Sequence, residues 1–257
     1  MADQGTLLDQ FRMDGRVAVV TGSGRGIGRG IALGLAEAGA DIVVTARRQH
    51  EIDAVVGEVE SRGRRAIGIA GDVTDADFVR QLAERAAEFG SLAVWVSNAG
   101  GSEHKGTYAL ADMPDEHWDA QLALNLRPHF VAAKACAAVM EPGSSLIGIS
   151  STASLGASPR FGAYGAAKAG MNQLTRTLAV ELAPKGIRAN AIAVGIVPTE
   201  SLRTIGGIED DQLPRLVKAV PLGRLGTPED IAAAAVYLSS PAGSWVTGQT
   251  IVVSGGA

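Results

Sequence analysis

The chain has 257 residues, 46% hydrophobic and 19% charged, enough apolar content to bury a sizeable core in one large α/β unit. A net charge of -4 argues against a nucleic-acid or anionic-membrane partner, and no apolar run approaches the roughly 18 residues that would span a bilayer. The one cysteine, Cys136, cannot form an intrachain disulfide and suits a reducing, cytoplasmic setting, and Met1 to Gly15 holds Asp3, Asp9 and Asp14 with no signal-type apolar stretch.

Taken in order, Arg16 to Thr21 is a β-branched run ending in glycines, read as a buried strand. Ile27, Ile31, Leu35 and Ala38 recur at helical spacing over Gly26 to Ala38. Asp41 to Thr45 is a second strand, Glu51 to Arg62 a helix, and Ala66 to Ala70 a third strand. Phe78, Leu82, Ala86 and Phe89 form an amphipathic helix, followed by a strand over Leu92 to Ser97. A polar loop leads to Pro114, and one long helix is expected from about Asp115 to Met140, kinked at Pro128. Then come a strand over Ser145 to Ser150, a helix over Phe161 to Leu182 and a strand over Arg188 to Val194. An irregular stretch, 195–227, precedes a helix over Pro228 to Ser239 and a last strand over Thr250 to Val253. Strands alternating with helices predict a single Rossmann-type α/β domain spanning 1–257. Its doubly wound parallel sheet has about seven strands with helices on both faces, and a ligand at the carboxyl ends of the strands.

The turn after the first strand, Gly22-Ser23-Gly24-Arg25-Gly26-Ile27-Gly28, opens a helix. Glycines let the backbone approach a ligand closely, and the helix N-terminus attracts a pyrophosphate. This is a Gly-x-x-x-Gly-x-Gly variant rather than the common G-x-G-x-x-G. After the second strand stand Arg47 and Arg48, with no carboxylate in the turn, and Arg25 adds a charge inside the loop. Arginine there accommodates the 2′-phosphate of NADP, whereas a carboxylate would bond the ribose of NAD, so NADP(H) is preferred and NAD(H) stays possible. The competing reading makes these arginines solvated loop charges.

Tyr164 and Lys168 lie four residues apart on one helix and share a face. At pH 7 only about one free tyrosine in a thousand is ionised, and a neighbouring ammonium lowers the pKa, so such a pair can serve as a general acid or base. On their own they read as a surface tyrosine beside a solvated lysine, since such pairs are common on helices.

The ordered set Thr21-Gly22-x-x-x-Gly26-Ile27-Gly28, Asp72-Val73, Asn98-Ala99-Gly100, Asn125, Ser151 and Tyr164-x-x-x-Lys168, with Arg224 to Ile231 and Val246 to Gln249, resembles the compact short-chain dehydrogenases/reductases from about Gly15 to the C-terminus. The resemblance implies roles. Ser151 would bond the substrate oxygen, Tyr164 would exchange the proton, and Lys168 would bind the nicotinamide ribose and lower the tyrosine pKa. Asn125 would hold a water joining Lys168 to solvent. Asp72 and Val73 would meet adenine, Asn98, Ala99 and Gly100 the adenosine ribose, and Val197 and Thr199 the nicotinamide amide. It further implies hydride transfer between NADP(H) and a ketone, 3-oxoacyl group or secondary alcohol, and assembly as a homotetramer or homodimer. The alternatives are an NAD-dependent alcohol dehydrogenase and a nucleotide-binding regulator without catalysis. Ser97, Ala93, Ser254 and Val194 depart from the family pattern, and Val194, in place of a proline, is expected to loosen the nicotinamide loop.

Substrate choice is assigned to Gly101–Met113, with His104, Lys105 and Tyr108, to Leu155–Ala163, and to a lid at about 199–221 carrying Leu202, Ile205, Gly206, Gly207 and Leu213. His104, His117 and His129 lack metal spacing and are expected to be surface or structural residues, so no metal is expected. Trp118 is expected to pack in the core and Trp245 near the last strand.

Overall fold

The computed structural model describes residues 6–101, 107–199 and 212–257. Seven parallel strands form one sheet: β1 Arg16–Thr21, β2 Asp41–Ala46, β3 Ala66–Ala70, β4 Ser91–Ser97, β5 Ser145–Ser151, β6 Arg188–Val194 and β7 Thr250–Val253. Their order is β3-β2-β1-β4-β5-β6-β7. The connections reverse direction between β1 and β4, which opens a crevice beyond the carboxyl ends of those strands. Valines and isoleucines fill β1, β2 and β4 because both sheet faces are covered.

One face carries α1 Gly26–Glu37, α2 Gln49–Glu60 and α8 Pro228–Ser239, which pack Ile31, Leu35, Ile52, Val55, Ile231 and Leu238 against the sheet. The other carries α3 Ala76–Phe89, α5 Arg127–Val139 and α6 Gly162–Leu182, with Leu82, Ala86, Val131, Cys136 and Leu182 at their buried contacts. Local chemistry fixes several starts. Asp75 caps α3 by accepting from the Asp77 and Phe78 amides at 2.8 and 3.3 Å. Thr227 and Asp230 form a capping box ahead of α8, with proline at its first turn. Among the described residues no helix is long and apolar enough to cross a membrane.

Three expectations change. The single long helix is two, α4 Asp115–Asn125 and α5, broken at Leu126 rather than kinked at Pro128. Pro128 cannot donate to a carbonyl four residues back, so it sits in the first turn of a new helix, where no donor is needed. The stretch 195–227, read as irregular, contains α7, Leu213–Ala219. Trp118 is 38% exposed and so does not belong to the core, and Trp245, expected to pack near the last strand, is 98% exposed and packs against nothing among the described residues. Residues 200–211, which include most of the expected lid, lie outside the described residues, as do His104 and Lys105.

Candidate active site

The strand ends and the first turns of α1 and α6 enclose a cleft of about 800 Å³. Beneath it, the buried Thr21 ties β1 to β4. Its hydroxyl donates to the Val96 carbonyl at 3.2 Å and accepts the Asn98 and Ala99 amides, both at 3.0 Å. The Asn98 side chain donates to the carbonyls of Thr21 and Gly22 at 2.8 and 3.2 Å. Gly22, with φ +66°, Gly24, Gly26, with φ +56°, and Gly28 then carry the chain past the cleft into α1, and Arg25 and Ile27 line the same wall. A Cβ on Gly28 would stand 2.3 Å from the Gly22 carbonyl oxygen and 2.4 Å from Asn98 Nδ2. The loop is thus packed backbone on backbone, leaving the N-terminus of the twelve-residue helix α1 to face the cleft. A pyrophosphate fits this cradle by size and charge.

Beyond the glycines, Arg47, Arg48, Asp72, Val73 and Ala99 line the cleft. Asp72 accepts the Thr74 amide at 2.9 Å and its hydroxyl at 2.8 Å. Those bonds, with the charge of Arg47, hold its carboxyl below the usual range against the opposing effect of burial. Ser23 differs from its expected place: it is fully buried and absent from the lining. Its oxygen accepts the Thr45 amide at 3.0 Å, so its side chain joins the loop to β2 instead of facing a ligand. A carboxylate also stands at this end, contrary to the reading of the turn: Glu51 lines the cleft beside Gly24 and is ion-paired with Arg48. Helix α2 starts two residues earlier than expected, at Gln49, which puts Glu51 in its first turn. The i,i+3 spacing of Arg48 and Glu51 was the sequence signal for it.

At the other end Ser151 closes β5, opposite Val194 of β6. Its oxygen accepts the Ala153 amide at 3.2 Å, and its hydroxyl stands near enough to Tyr164 to act on the pKa of that phenol. Tyr164 and Lys168 sit one turn apart on α6. The Lys168 ammonium, 3% exposed, donates to the Ile149 carbonyl at 2.8 Å and lies 5.7 Å from the centre of the Tyr164 ring. Burial pushes Lys168 down to about 8. It also pushes Tyr164 up, with the Ser151 hydrogen bond acting the other way. The expected lowering of the tyrosine by the lysine is therefore not the dominant effect: the ammonium is turned toward a backbone carbonyl, and desolvation of the phenol outweighs it.

Asn125 lies under this end and does not line the cleft. It ends α4, accepts the Gly101 amide at 2.9 Å, and donates to the Gly101 and Gln121 carbonyls at 3.0 and 3.1 Å. A Cβ on Gly100 would come within 2.7 Å of the Asn125 amide oxygen and 3.3 Å of the Lys168 nitrogen, so the chain here tolerates only glycine. Gly100, Val197 and Thr199 line the cleft, as does Phe161 from the segment assigned to substrate choice, joined by Ala120, Ala123 and Ile196, small or apolar residues that no sequence signal marked. Tyr108 pairs with Phe161 in a parallel bridge and stacks edge-on to His117 at 4.9 Å. Val194 of β6 is buried and paired with Val253 of β7, so sheet register holds the start of the loop that its replacement of a proline was expected to loosen.

His129 is wholly internal, between Ser97 at 2.9 Å and Thr175 at 3.3 Å. Burial, aided by the charge of Lys168, pushes its pKa down to about 4, so it is a neutral structural residue, and Ser97 in place of asparagine supplies its partner. Burial pushes the Cys136 thiol up, as befits a core residue. Among the described residues no cluster of His, Cys, Asp and Glu could hold a metal.

A family model described as enoyl-(acyl carrier protein) reductase matches residues 22–257. An uncharacterized oxidoreductase of Mycobacterium tuberculosis is 42% identical over 97% of this chain and 95% of its own. Among solved structures, a 7-alpha-hydroxysteroid dehydrogenase complexed with NADH and 7-oxo glycochenodeoxycholic acid aligns with a TM-score of 0.90 and 35% identity, covering 97% of this chain and 96% of that one. A short chain dehydrogenase from Burkholderia cenocepacia in complex with NADP aligns with a TM-score of 0.87 and 33% identity, covering 95% of this chain and 98% of that one.

Proposed function

This chain belongs to the short-chain dehydrogenase/reductase family and is an oxidoreductase of the nicotinamide-dependent kind, and on that premise we propose that it uses NADP(H) to interconvert a ketone or 3-oxoacyl group and a secondary alcohol. The observation that carries this reading is the single cleft with a glycine cradle and arginines at one end and Ser151, Tyr164 and Lys168 at the other. The nicotinamide supplies or takes up the hydride when bound. The protein does the rest. The Ser151 and Tyr164 hydroxyls hold the substrate oxygen, and Tyr164 gives its proton to that oxygen as the carbonyl is reduced. Lys168 binds the ribose, and Asn125, which fixes Gly101 nearby, would seat the water leading from Lys168 to solvent. Asp72 and Val73 flank adenine, Asn98, Ala99 and Gly100 the adenosine ribose, and Val197 and Thr199 the carboxamide. We take 1–257 as one catalytic unit, working in the cytoplasm.

Cofactor choice rests on this chain's own charges, since one solved relative carries NADH and another NADP. Arg25 and Arg47 line the ribose end, and Glu51, the one feature there that favours NAD(H), is ion-paired with Arg48. Titration by nicotinamide fluorescence is expected to show NADPH binding at least about tenfold tighter than NADH, with Arg47→Asp erasing the difference. NADH binding as tightly as NADPH to the parent chain would sink the preference and bring forward the NAD-dependent alcohol dehydrogenase.

An open apolar groove of about 690 Å³ along α4, α5 and α6, with Leu122, Leu126, Leu174 and the half-exposed Phe130, favours docking of a second copy, and the small Gly170 lets helices approach closely there. We propose a homotetramer, or at least a homodimer, through these helices. Sedimentation as a monomer at micromolar concentration would exclude it.

A further inference from the structure

We infer that Ser154 and Asn172 are positioning residues that hold the Ser151 hydroxyl at its working distance from Tyr164. The inference rests on the reading of Ser151 and Tyr164 as the reacting pair. Tyr164, Lys168 and Asn172 are spaced by four on α6 and share one face. Each meets the end of β5 or the turn that follows it. Tyr164 lies near enough to the Ser151 hydroxyl for it to oppose the rise of the phenol's pKa, Lys168 donates to Ile149, and Asn172 Nδ2 donates to Ser154 Oγ at 2.8 Å. The Ser154 proton goes to the Ser151 carbonyl at 2.6 Å, so its oxygen is free to accept from Asn172. Ser150 Oγ lies 3.3 Å from both Ser154 Oγ and the Lys168 carbonyl, and its single proton joins one or the other. Helix and turn are also in backbone contact, because a Cβ on Gly165 would stand 2.9 Å from the Ala153 carbonyl oxygen.

Ser151 is therefore held twice over: its carbonyl through Ser154 and Asn172, its side-chain oxygen by the Ala153 amide, which leaves the hydroxyl facing Tyr164. Asn172 is 4% exposed and its Oδ1 is buried without a hydrogen-bond partner. An apolar side chain would avoid that cost, so what favours asparagine here is the bond made by the other half of its amide.

The test reads Tyr164 without substrate or cofactor. Tyrosinate difference absorbance between the parent chain and its Tyr164→Phe variant isolates one of three tyrosines. Asn172→Leu and Ser154→Ala are each expected to raise the pH at which Tyr164 ionises by about one unit, because the Ser151 bond to the phenolate is weakened. The double variant should shift no further than either single one, and Ser154→Thr, which keeps the hydroxyl, should titrate like the parent. Ser154→Ala deletes one oxygen from a partly exposed turn and keeps the test readable if Asn172→Leu does not fold. An unmoved titration in both variants, or additive shifts, overturns the inference while leaving the proposed reaction standing. Undiminished turnover by Tyr164→Phe is a different failure and removes the reading of Ser151 and Tyr164 as the reacting pair.

Discussion

Tyr164→Phe is expected to lower carbonyl reduction by about 10²- to 10⁴-fold while changing NADPH affinity by no more than about twofold. The substitution keeps the ring and removes one oxygen. In the cleft that oxygen lies beside Ser151, and the Lys168 ammonium, bonded to Ile149, cannot take over as a proton donor at the same point. Burial of the phenol keeps it protonated at neutral pH, the state a proton donor needs. The measurement is NADPH consumption with a panel of ketones and 3-oxoacyl thioesters, beside a fluorescence titration of the cofactor. Loss of binding together with rate would assign Tyr164 to cofactor seating. An unchanged rate would remove Tyr164 as the proton donor, and no turnover of any of these substrates by the parent chain would favour a nucleotide-binding regulator without catalysis.

The sheet was legible in the sequence because parallel strands buried on both faces are short β-branched runs, and β3, β6 and β7 fall where Ala66–Ala70, Arg188–Val194 and Thr250–Val253 were expected. Helix boundaries were less so. Pro128 is compatible with both a kinked helix and a fresh start, and the choice is made by Asn125 capturing the Gln121 carbonyl just before Leu126 leaves helical geometry. Side-chain direction was the least legible. Ser23 and Arg25 are two apart in the same loop, yet one is buried against Thr45 and the other lines the cleft. Glu51 escaped notice because its place beside Gly24 depends on where α2 begins. The pKa order could not be read from spacing at all: four residues between Tyr164 and Lys168 say nothing of burial, and burial moves both groups toward their neutral forms.

Gly28→Ala is expected to cost at least about 100-fold in NADPH affinity and about 1–3 kcal/mol of stability, although it adds one methyl group. The new Cβ would meet the Gly22 carbonyl at 2.3 Å and Asn98 Nδ2 at 2.4 Å. The first is backbone. The second is a side chain pinned by the Thr21 and Gly22 carbonyls, so neither can swing aside as a long surface residue would. Relief must come from the loop, which moves Gly22 away from Thr21 and Asn98 and turns the amides at the start of α1 out of line with a bound pyrophosphate. Gly57→Ala is the matched control. It lies inside α2 with nothing within 4 Å of its added Cβ, and alanine there should leave binding alone and raise stability by about 0.5–1 kcal/mol. Denaturant unfolding and NADPH titration of the two variants separate close backbone packing from the general effect of replacing a helical glycine. If Gly28→Ala bound NADPH within about threefold of the parent chain, this turn could not be the pyrophosphate cradle, and the cofactor's place in the cleft would have to be sought elsewhere.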